Sequence, residues 1–151
     1  MIYTNLTNKA MRIAYNAHNG QLDKSDVPYI FHPFHLAEQM KTEHEVIVAL
    51  LHDVVEDTDV TLEDLAAEGF PRDVLEAVRL LTHDRSVPYM EYIAGLKDNA
   101  LAKKVKMADL LHNSDVTRLE GIDEEAGKRL KKYGAALQML QNEDEKDNSD
   151  C

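Results

Sequence analysis

Apolar residues recur every three or four positions through residues 5–19, and that spacing predicts an amphipathic helix. Gly20 follows the last apolar position as a stop signal, and Thr4 or Thr7 can cap the first turn. The next stretch, residues 19–28, is polar and contains glycine and proline, which is typical of a loop. The pattern therefore predicts an N-terminal helix followed by an irregular segment.

Helical spacing continues as far as residue 140, interrupted by residues that favour helix starts. A helix that begins after Thr42 is predicted to run unbroken to about Glu56. No alternating run is long enough to predict a strand. We therefore predict an all-α fold, with one compact multi-helix domain over residues 1–141 and an acidic, disordered tail over residues 142–151. The other predicted helix starts are Pro33, Thr61, Pro71, Pro88, Ala100 and Asp123.

Within residues 49–58, four polar side chains interrupt an apolar run. On an unbroken helix His52, Asp53, Glu56 and Asp57 crowd one side, because residues three and four apart are neighbours. Apolar residues cover the rest of the circumference, which is typical of a buried helix. Buried carboxylates are costly unless they are paired or bind a metal. The pattern predicts that this face holds a divalent cation.

Two distant residues can complete the shell of that cation. His32 stands among apolar residues directly before a proline, and Asp109 lies in the apolar half of a predicted helix. Taken alone, His32 also fits a core histidine bonded to a backbone carbonyl, and Asp109 fits a buried lysine partner or a helix cap. Taken together with His52 and Asp53, they favour a metal site between helices. Imidazole and carboxylate ligands suit Mn²⁺, Fe²⁺, Zn²⁺, Co²⁺ or Ni²⁺.

Composition and charge narrow the possible partners. The chain is 44% hydrophobic and 30% charged, which is ordinary for a globular domain. Its net charge of −11 argues against passive binding to nucleic acid or anionic membranes. There is no apolar run of membrane-spanning length, and the single cysteine, Cys151, fits a reducing cytoplasm. An acidic protein that binds a phosphorylated small molecule needs a metal and a few well-placed cations.

The order His32, His52-Asp53, Asp109 resembles the HD superfamily of metal-dependent phosphohydrolases. The resemblance extends to the hydrolase domain of the alarmone (ppGpp) synthetase–hydrolases and their small stand-alone relatives. It implies an all-helical fold, one Mn²⁺ held by these four residues, and cleavage of the 3′-pyrophosphate from (p)ppGpp, a reaction of the stringent response. The segments that carry it are residues 17–21, 28–33, 49–58 and 105–113.

The same resemblance implies roles for further residues. Glu56 and Asp57 match the acidic pair that acts on the attacking water, one turn beyond the ligands. Asn113 matches a nucleotide-contacting asparagine, and Lys24 matches a lysine of the substrate loop. Tyr133 matches an aromatic residue near the substrate, and it fits simple packing equally well. These residues form the predicted catalytic and substrate-binding set.

Two departures from the pattern leave other functions open. Asp23 stands where the resemblance implies a guanine-stacking arginine, and residues 81–104 are shorter and less basic than the matching segment. A phosphohydrolase acting on another nucleotide or phosphate ester is therefore one alternative, and a non-catalytic, metal-stabilised binding domain is another. Lys106 either faces a phosphate or is a solvated helix lysine.

Overall fold

The computed structural model describes the backbone of residues 1–149 and the side chains of residues 1–142. Within that part the protein is all-helical, which confirms the predicted fold class, and one isolated bridge joins Leu22 to Pro28. The helices are α1 (Asn5–Ala17), α2 (Phe31–Glu38), α3 (Glu43–Leu51), α4 (Val54–Asp57), α5 (Leu62–Ala67), α6 (Arg72–Leu81), α7 (Tyr89–Leu96), α8 (Ala100–Asn113) and α9 (Glu124–Ser149), with a 3₁₀ turn at Val116–Arg118.

The N-terminal helix α1 has the predicted cap and stop. The hydroxyl of Thr4 accepts a hydrogen bond from the Thr7 amide at 3.1 Å, and the Thr7 hydroxyl accepts one from the Thr4 amide at 2.8 Å. The helix ends at Ala17, two residues earlier than predicted. Gly20 adopts φ of +85°, a left-handed conformation that glycine accepts without strain. The chain turns there into the loop that reaches α2.

Helix α3 lies at the centre of the molecule. All of its residues from 45 to 51 are buried, and the helix packs against α1, α2, α6 and α8. Each fully buried leucine or isoleucine side chain contributes about 1.5–3 kcal/mol relative to an exposed one. Ile47, Leu50 and Leu51 therefore fix the C-terminal end of α3 deep in the core.

The prediction of one unbroken helix from Thr42 to about Glu56 is wrong. Helix α3 ends at Leu51, and α4 begins at Val54. The side chain of His52 donates from Nδ1 to the Ala49 carbonyl at 2.7 Å. That carbonyl is the acceptor that the amide of residue 53 would use in a continuous helix, so the imidazole competes with helix propagation. The departure from helical geometry falls at Asp53, whose φ is −108° and whose ψ is −1°.

Helix α9 closes the other side of the domain against α7 and α8. As predicted, Asp123 caps it by accepting from the Ala126 amide at 2.8 Å. The predicted tail, residues 142–151, lies largely outside the residues whose side chains are described, so its separation from the domain stays a prediction. Among the described residues, no helix has the length and hydropathy that crossing a membrane requires.

Candidate active site

The fold brings the four predicted metal ligands together. Each of His32, His52, Asp53 and Asp109 offers one ligand atom, and the four atoms lie within 4.8 Å of one another. His32 comes from the first turn of α2, Asp109 from α8, and the other two from the junction of α3 and α4. Nε2 of His52 lies 3.1 Å from Oδ2 of Asp53 and 3.6 Å from Oδ1 of Asp109. Residues up to 77 positions apart in sequence thus converge on one point.

The chemistry of these groups fits a divalent metal. Nδ1 of His52 is occupied by the Ala49 carbonyl, and its Nε2 is buried without a hydrogen-bond partner. Burial alone would lower the pKa of His52, but Asp53 and then Asp109 raise it well above its usual value. The two carboxylates therefore draw positive charge to Nε2, where a proton and a metal ion compete.

A second set of side chains contacts the candidate ligands. The hydroxyl of Tyr29 donates a short hydrogen bond to Oδ2 of Asp53. Lys106 Nζ lies 2.9 Å from Oδ2 of Asp109, and the amide of Asn113 donates to Oδ1 of Asp109 at 3.0 Å. Burial would raise the pKa of Asp109, but Lys106 overcomes it and holds that pKa well below its usual range. Asp109 therefore stays ionised as a ligand must.

These contacts settle the open interpretation of Lys106. Its side chain is 13% exposed and pairs with Asp109, so the solvated helix lysine is wrong. Asp109 does have a buried lysine partner, but it also faces His32 at 2.8 Å. The lysine and the metal site are thus compatible, because a carboxylate offers two oxygens.

His112 contacts Nδ1 of His32, the ring nitrogen that does not face Asp109. The two Nδ1 atoms lie 2.7 Å apart. Burial, followed by Arg118, lowers the pKa of His112 to about 4, so His112 is neutral near pH 7 and its Nδ1 can accept a hydrogen bond from the Nδ1–H of His32. That hydrogen bond leaves Nε2 of His32 directed at Asp109 and the ligand cluster. The ring of His35 stacks on His112 at 4.1 Å.

If His32 binds a metal, replacing His112 by alanine is expected to weaken that binding about 10- to 100-fold, because the candidate ligand loses its hydrogen-bond partner. Titration of the purified variant with Mn²⁺, followed by calorimetry, measures this without any assay of turnover. The matched control is His35→Ala, which removes the stacked ring and keeps the hydrogen bond to His32. Equal metal affinity in His112→Ala and His35→Ala would contradict the assignment.

Glu56 and Asp57 lie on the one-turn helix α4 and are exposed to solvent. Oε1 of Glu56 accepts from the His83 amide at 2.6 Å, and the Asp57 carbonyl accepts from the Gln21 side chain at 3.0 Å. Both residues stay accessible to solvent, but partial desolvation of their carboxyl groups in the cleft, together with the charge of Asp53, raises the pKa of each carboxyl. His18 in turn lies 2.9 Å from Gln21, so the segment 17–21 supports α4.

The ligands open onto a cleft of about 610 Å³ between the loop before α2, α4 and α9. The predicted substrate residues Lys24, Asn113 and Tyr133 all line it. Lys104 is not among the lining residues and instead pairs with Glu45 at 2.5 Å. Arg85 and Lys106, two further cations that the sequence suggested for the cleft, do line it. Other lining residues had no assignment from the sequence, among them Tyr29, Tyr89, Tyr92, Arg118, Arg129 and Lys132.

Asp23 lines the cleft with its charge partly compensated. Nη2 of Arg118 lies 3.5 Å from its carboxylate. The same carboxylate accepts hydrogen bonds from the amides of Ser25 at 2.8 Å and Val27 at 3.1 Å. Asp23 therefore shapes the loop that carries Lys24 and presents an ion pair to the cleft. No local signal in the sequence predicts this pairing, because the partners are 95 positions apart.

Sequence comparison finds relatives that are named as ppGpp hydrolases. The zebrafish (Danio rerio) guanosine-3′,5′-bis(diphosphate) 3′-pyrophosphohydrolase MESH1 is 38% identical over 60% of this chain and 56% of its own length. The bifunctional (p)ppGpp synthase/hydrolase SpoT of Escherichia coli K12 is 33% identical over 70% of this chain and 17% of its own length. The matched part of this chain thus spans about half of the first relative. No family model matches.

Structural comparison agrees with the sequence. A solved structure described as a metazoan ortholog of SpoT that hydrolyses ppGpp matches with a TM-score of 0.66 and 25% identity, covering 95% of this chain and 97% of that one. The fold is thus similar to that of a protein described as hydrolysing ppGpp, and the four candidate ligands meet in one cluster, as the sequence pattern predicted. More particularly, the chain is similar in sequence to part of the proteins named MESH1 and SpoT.

Proposed function

We propose that this protein is a Mn²⁺-dependent guanosine-3′,5′-bis(diphosphate) 3′-pyrophosphohydrolase. One observation carries the proposal: four candidate ligand atoms, three of them from buried residues, converge beside a cleft, with two further carboxylates one turn away. The names of the similar proteins supply the substrate class. Cytoplasmic location, indicated by the single cysteine, and a part in the stringent response, implied by the family resemblance, stay predictions.

His32, His52, Asp53 and Asp109 would hold the metal. A divalent ion bound there supplies Lewis acidity, lowering the pKa of a water and polarising a phosphoryl oxygen. Glu56 and Asp57 are then the groups that accept the proton of the attacking water, since their raised pKa values bring them closer to neutral pH. The His83 amide keeps Glu56 in place for that task.

We assign substrate contacts to Lys24, Asn113 and Tyr133, which all border the cleft. The side-chain amide of Asn113 donates a hydrogen bond to Asp109, one of the proposed metal ligands. A nucleotide that contacts Asn113 would therefore be linked through this residue to the metal site. Tyr133 is half-buried and packs on the core while one edge borders the cleft. Its two interpretations, packing and substrate contact, are therefore compatible.

Two features distinguish this function from its alternatives. A purely structural metal site does not need Glu56 and Asp57. Both residues lie exposed at the cleft and are not among the four candidate metal ligands. A hydrolase of another phosphate ester is favoured by Asp23, whose negative charge stands where a cation is implied. The ion pair of Asp23 with Arg118 weakens that objection, because it places a guanidinium beside the carboxylate.

Incubation of Mn²⁺-loaded protein with ppGpp is expected to yield GDP and pyrophosphate in equal amounts. Anion-exchange chromatography separates and quantifies both products. A panel of nucleoside monophosphates and other phosphate esters, assayed in parallel, tests the alternative hydrolase. Turnover of the panel without turnover of ppGpp would replace the proposed substrate, and turnover of neither would favour the binding domain.

A further inference from the structure

The segment between α6 and α7, residues 82–88, is closed by hydrogen bonds from two side chains. Nε2 of His83 lies 2.8 Å from the Val87 carbonyl oxygen, and because a carbonyl only accepts, the imidazole donates this bond from its Nε2–H. The hydroxyl of Tyr92 donates to the Leu81 carbonyl at 2.7 Å, where α6 ends. Both ends of the segment are therefore held by side chains.

The ring of His83 has little freedom to turn. It stacks on the Tyr92 ring with centroids 4.5 Å apart and planes 21° apart, and it meets the Tyr89 ring nearly edge-on at 5.9 Å. Tyr92 belongs to the buried face of α7 and is 9% exposed. The imidazole thus ties residue 83 to the core of the domain and to the end of its own segment.

The backbone amide of the same residue points out of the segment, to the proposed base. It donates to Oε1 of Glu56 at 2.6 Å, although the two residues are 27 positions apart. Helix α4, which carries Glu56, has no side-chain hydrogen bond at its N-cap. Because the side chain and the amide of His83 share one Cα, fixing the ring also fixes the direction of the amide.

We propose that the imidazole of His83 is a positioning residue for the proposed base: its Nε2–H bond to the Val87 carbonyl fixes the His83 amide, and that amide holds the Glu56 carboxylate at the cleft. The inference rests on the proposed function, which supplies the role of Glu56. His83 itself lines the cleft, but its Nε2 is already engaged, so it acts through Glu56 and not on the substrate.

The same contact acts on the charge of Glu56. Partial desolvation raises the pKa of the Glu56 carboxyl, and the His83 amide opposes that shift more strongly than any other group. Among the charged neighbours, Asp53 and Asp57 raise this pKa and Lys106 lowers it. A base must be ionised before it accepts a proton, so activity falls as the pH drops through its pKa. Loss of the amide contact raises the pKa and therefore moves that fall to higher pH.

Replacing His83 by alanine in the Mn²⁺-loaded protein is expected to lower kcat for ppGpp about 10- to 100-fold, because the base is displaced. Metal content and KM should stay close to those of the parent, and the acidic limb of kcat/KM should move to higher pH. His83→Gln should restore most of both, since Nε2 of glutamine lies the same number of bonds from the backbone and can donate to the Val87 carbonyl. Neither variant keeps the ring, so the comparison isolates the hydrogen bond.

Ser86→Ala is the matched control within the same segment. It removes the hydroxyl that donates to Asp84 at 2.8 Å and leaves the contacts of His83 in place. Its kcat and its acidic limb should equal those of the parent. Parental kcat in His83→Ala, or equal losses in His83→Ala and His83→Gln, would overturn the inference and leave the proposed function intact.

A second measurement needs no turnover. In ¹⁵N NMR of the protein loaded with diamagnetic Zn²⁺, the amide of residue 83 should report the titration of the Glu56 carboxyl, and Glu56→Gln should abolish this response. His83→Ala should lose the response and His83→Gln should keep it. A full response in His83→Ala would overturn the inference. If the parent did not hydrolyse ppGpp, the proposed function would fall, and the NMR comparison would still decide whether His83 holds Glu56.

Discussion

Replacing His52 by alanine is expected to yield a protein that retains little metal and loses kcat/KM for ppGpp by about 10³-fold or more. His52 is 2% exposed, and its Nε2 is the buried atom without a partner at the centre of the ligand cluster. Without it, two carboxylates face each other across an incomplete site. Metal content after purification, measured by elemental analysis, is the direct readout.

His44→Ala is the matched control, because His44 is partly exposed and pairs with Asp73 far from the cluster. Its metal content should equal that of the parent. Truncating a buried side chain also costs about 2–5 kcal/mol of folding free energy, so Asp53→Asn provides a second variant of nearly unchanged volume. Equal metal in the parent, His52→Ala and Asp53→Asn would refute the site.

Replacing Glu56 by glutamine is expected to lower kcat about 10²- to 10⁴-fold while metal content and melting temperature stay close to those of the parent. Glutamine keeps the oxygen that accepts from the His83 amide, so α4 should hold its position. What the variant loses is the ability to accept a proton. Steady-state kinetics with ppGpp, read together with metal content, separates this effect from loss of the site.

Glu63→Gln serves as the control for that experiment, since Glu63 is an exposed carboxylate on α5 that does not line the cleft. If Glu56→Gln and Glu63→Gln both retained the parental kcat, the base would have to be sought elsewhere. Asp57 would be the first candidate, because its carboxyl borders the same cleft and its pKa is raised by the same causes.

The sequence was informative wherever the cause of a feature is local. The helix caps at Thr4, Thr61 and Asp123 were predictable, because a capping residue and the amide it binds lie three positions apart. The four candidate ligands were also recognisable, since buried polar residues among apolar ones are rare without a partner. The break between α3 and α4 was not, because both flanks favour a helix and the competing imidazole contact depends on how His52 points.

Contacts between segments that are far apart in the chain could not be predicted from the sequence. The pairing of Asp23 with Arg118 and the grouping of Lys24 with Arg129 require knowledge of how the loop before α2 meets α9. His112 and Tyr29 stand inside the recognised segments, but their roles follow from ring and hydroxyl positions. Periodicity assigns a residue to a face of its own helix and says nothing about what faces it from another.

Because α4 is so short, its position is sensitive to insertions and deletions elsewhere in the chain. The backbone hydrogen bonds of a four-residue helix are too few to make it stable alone. Its position depends on the His83 amide beyond α6 and on Gln21 after α1. The connection between α6 and α7 thus helps to position the proposed catalytic base, although it contributes no candidate metal ligand. An insertion or deletion at residues 82–88 would displace Glu56 and leave the metal cluster assembled, so the protein would bind metal normally and turn over slowly.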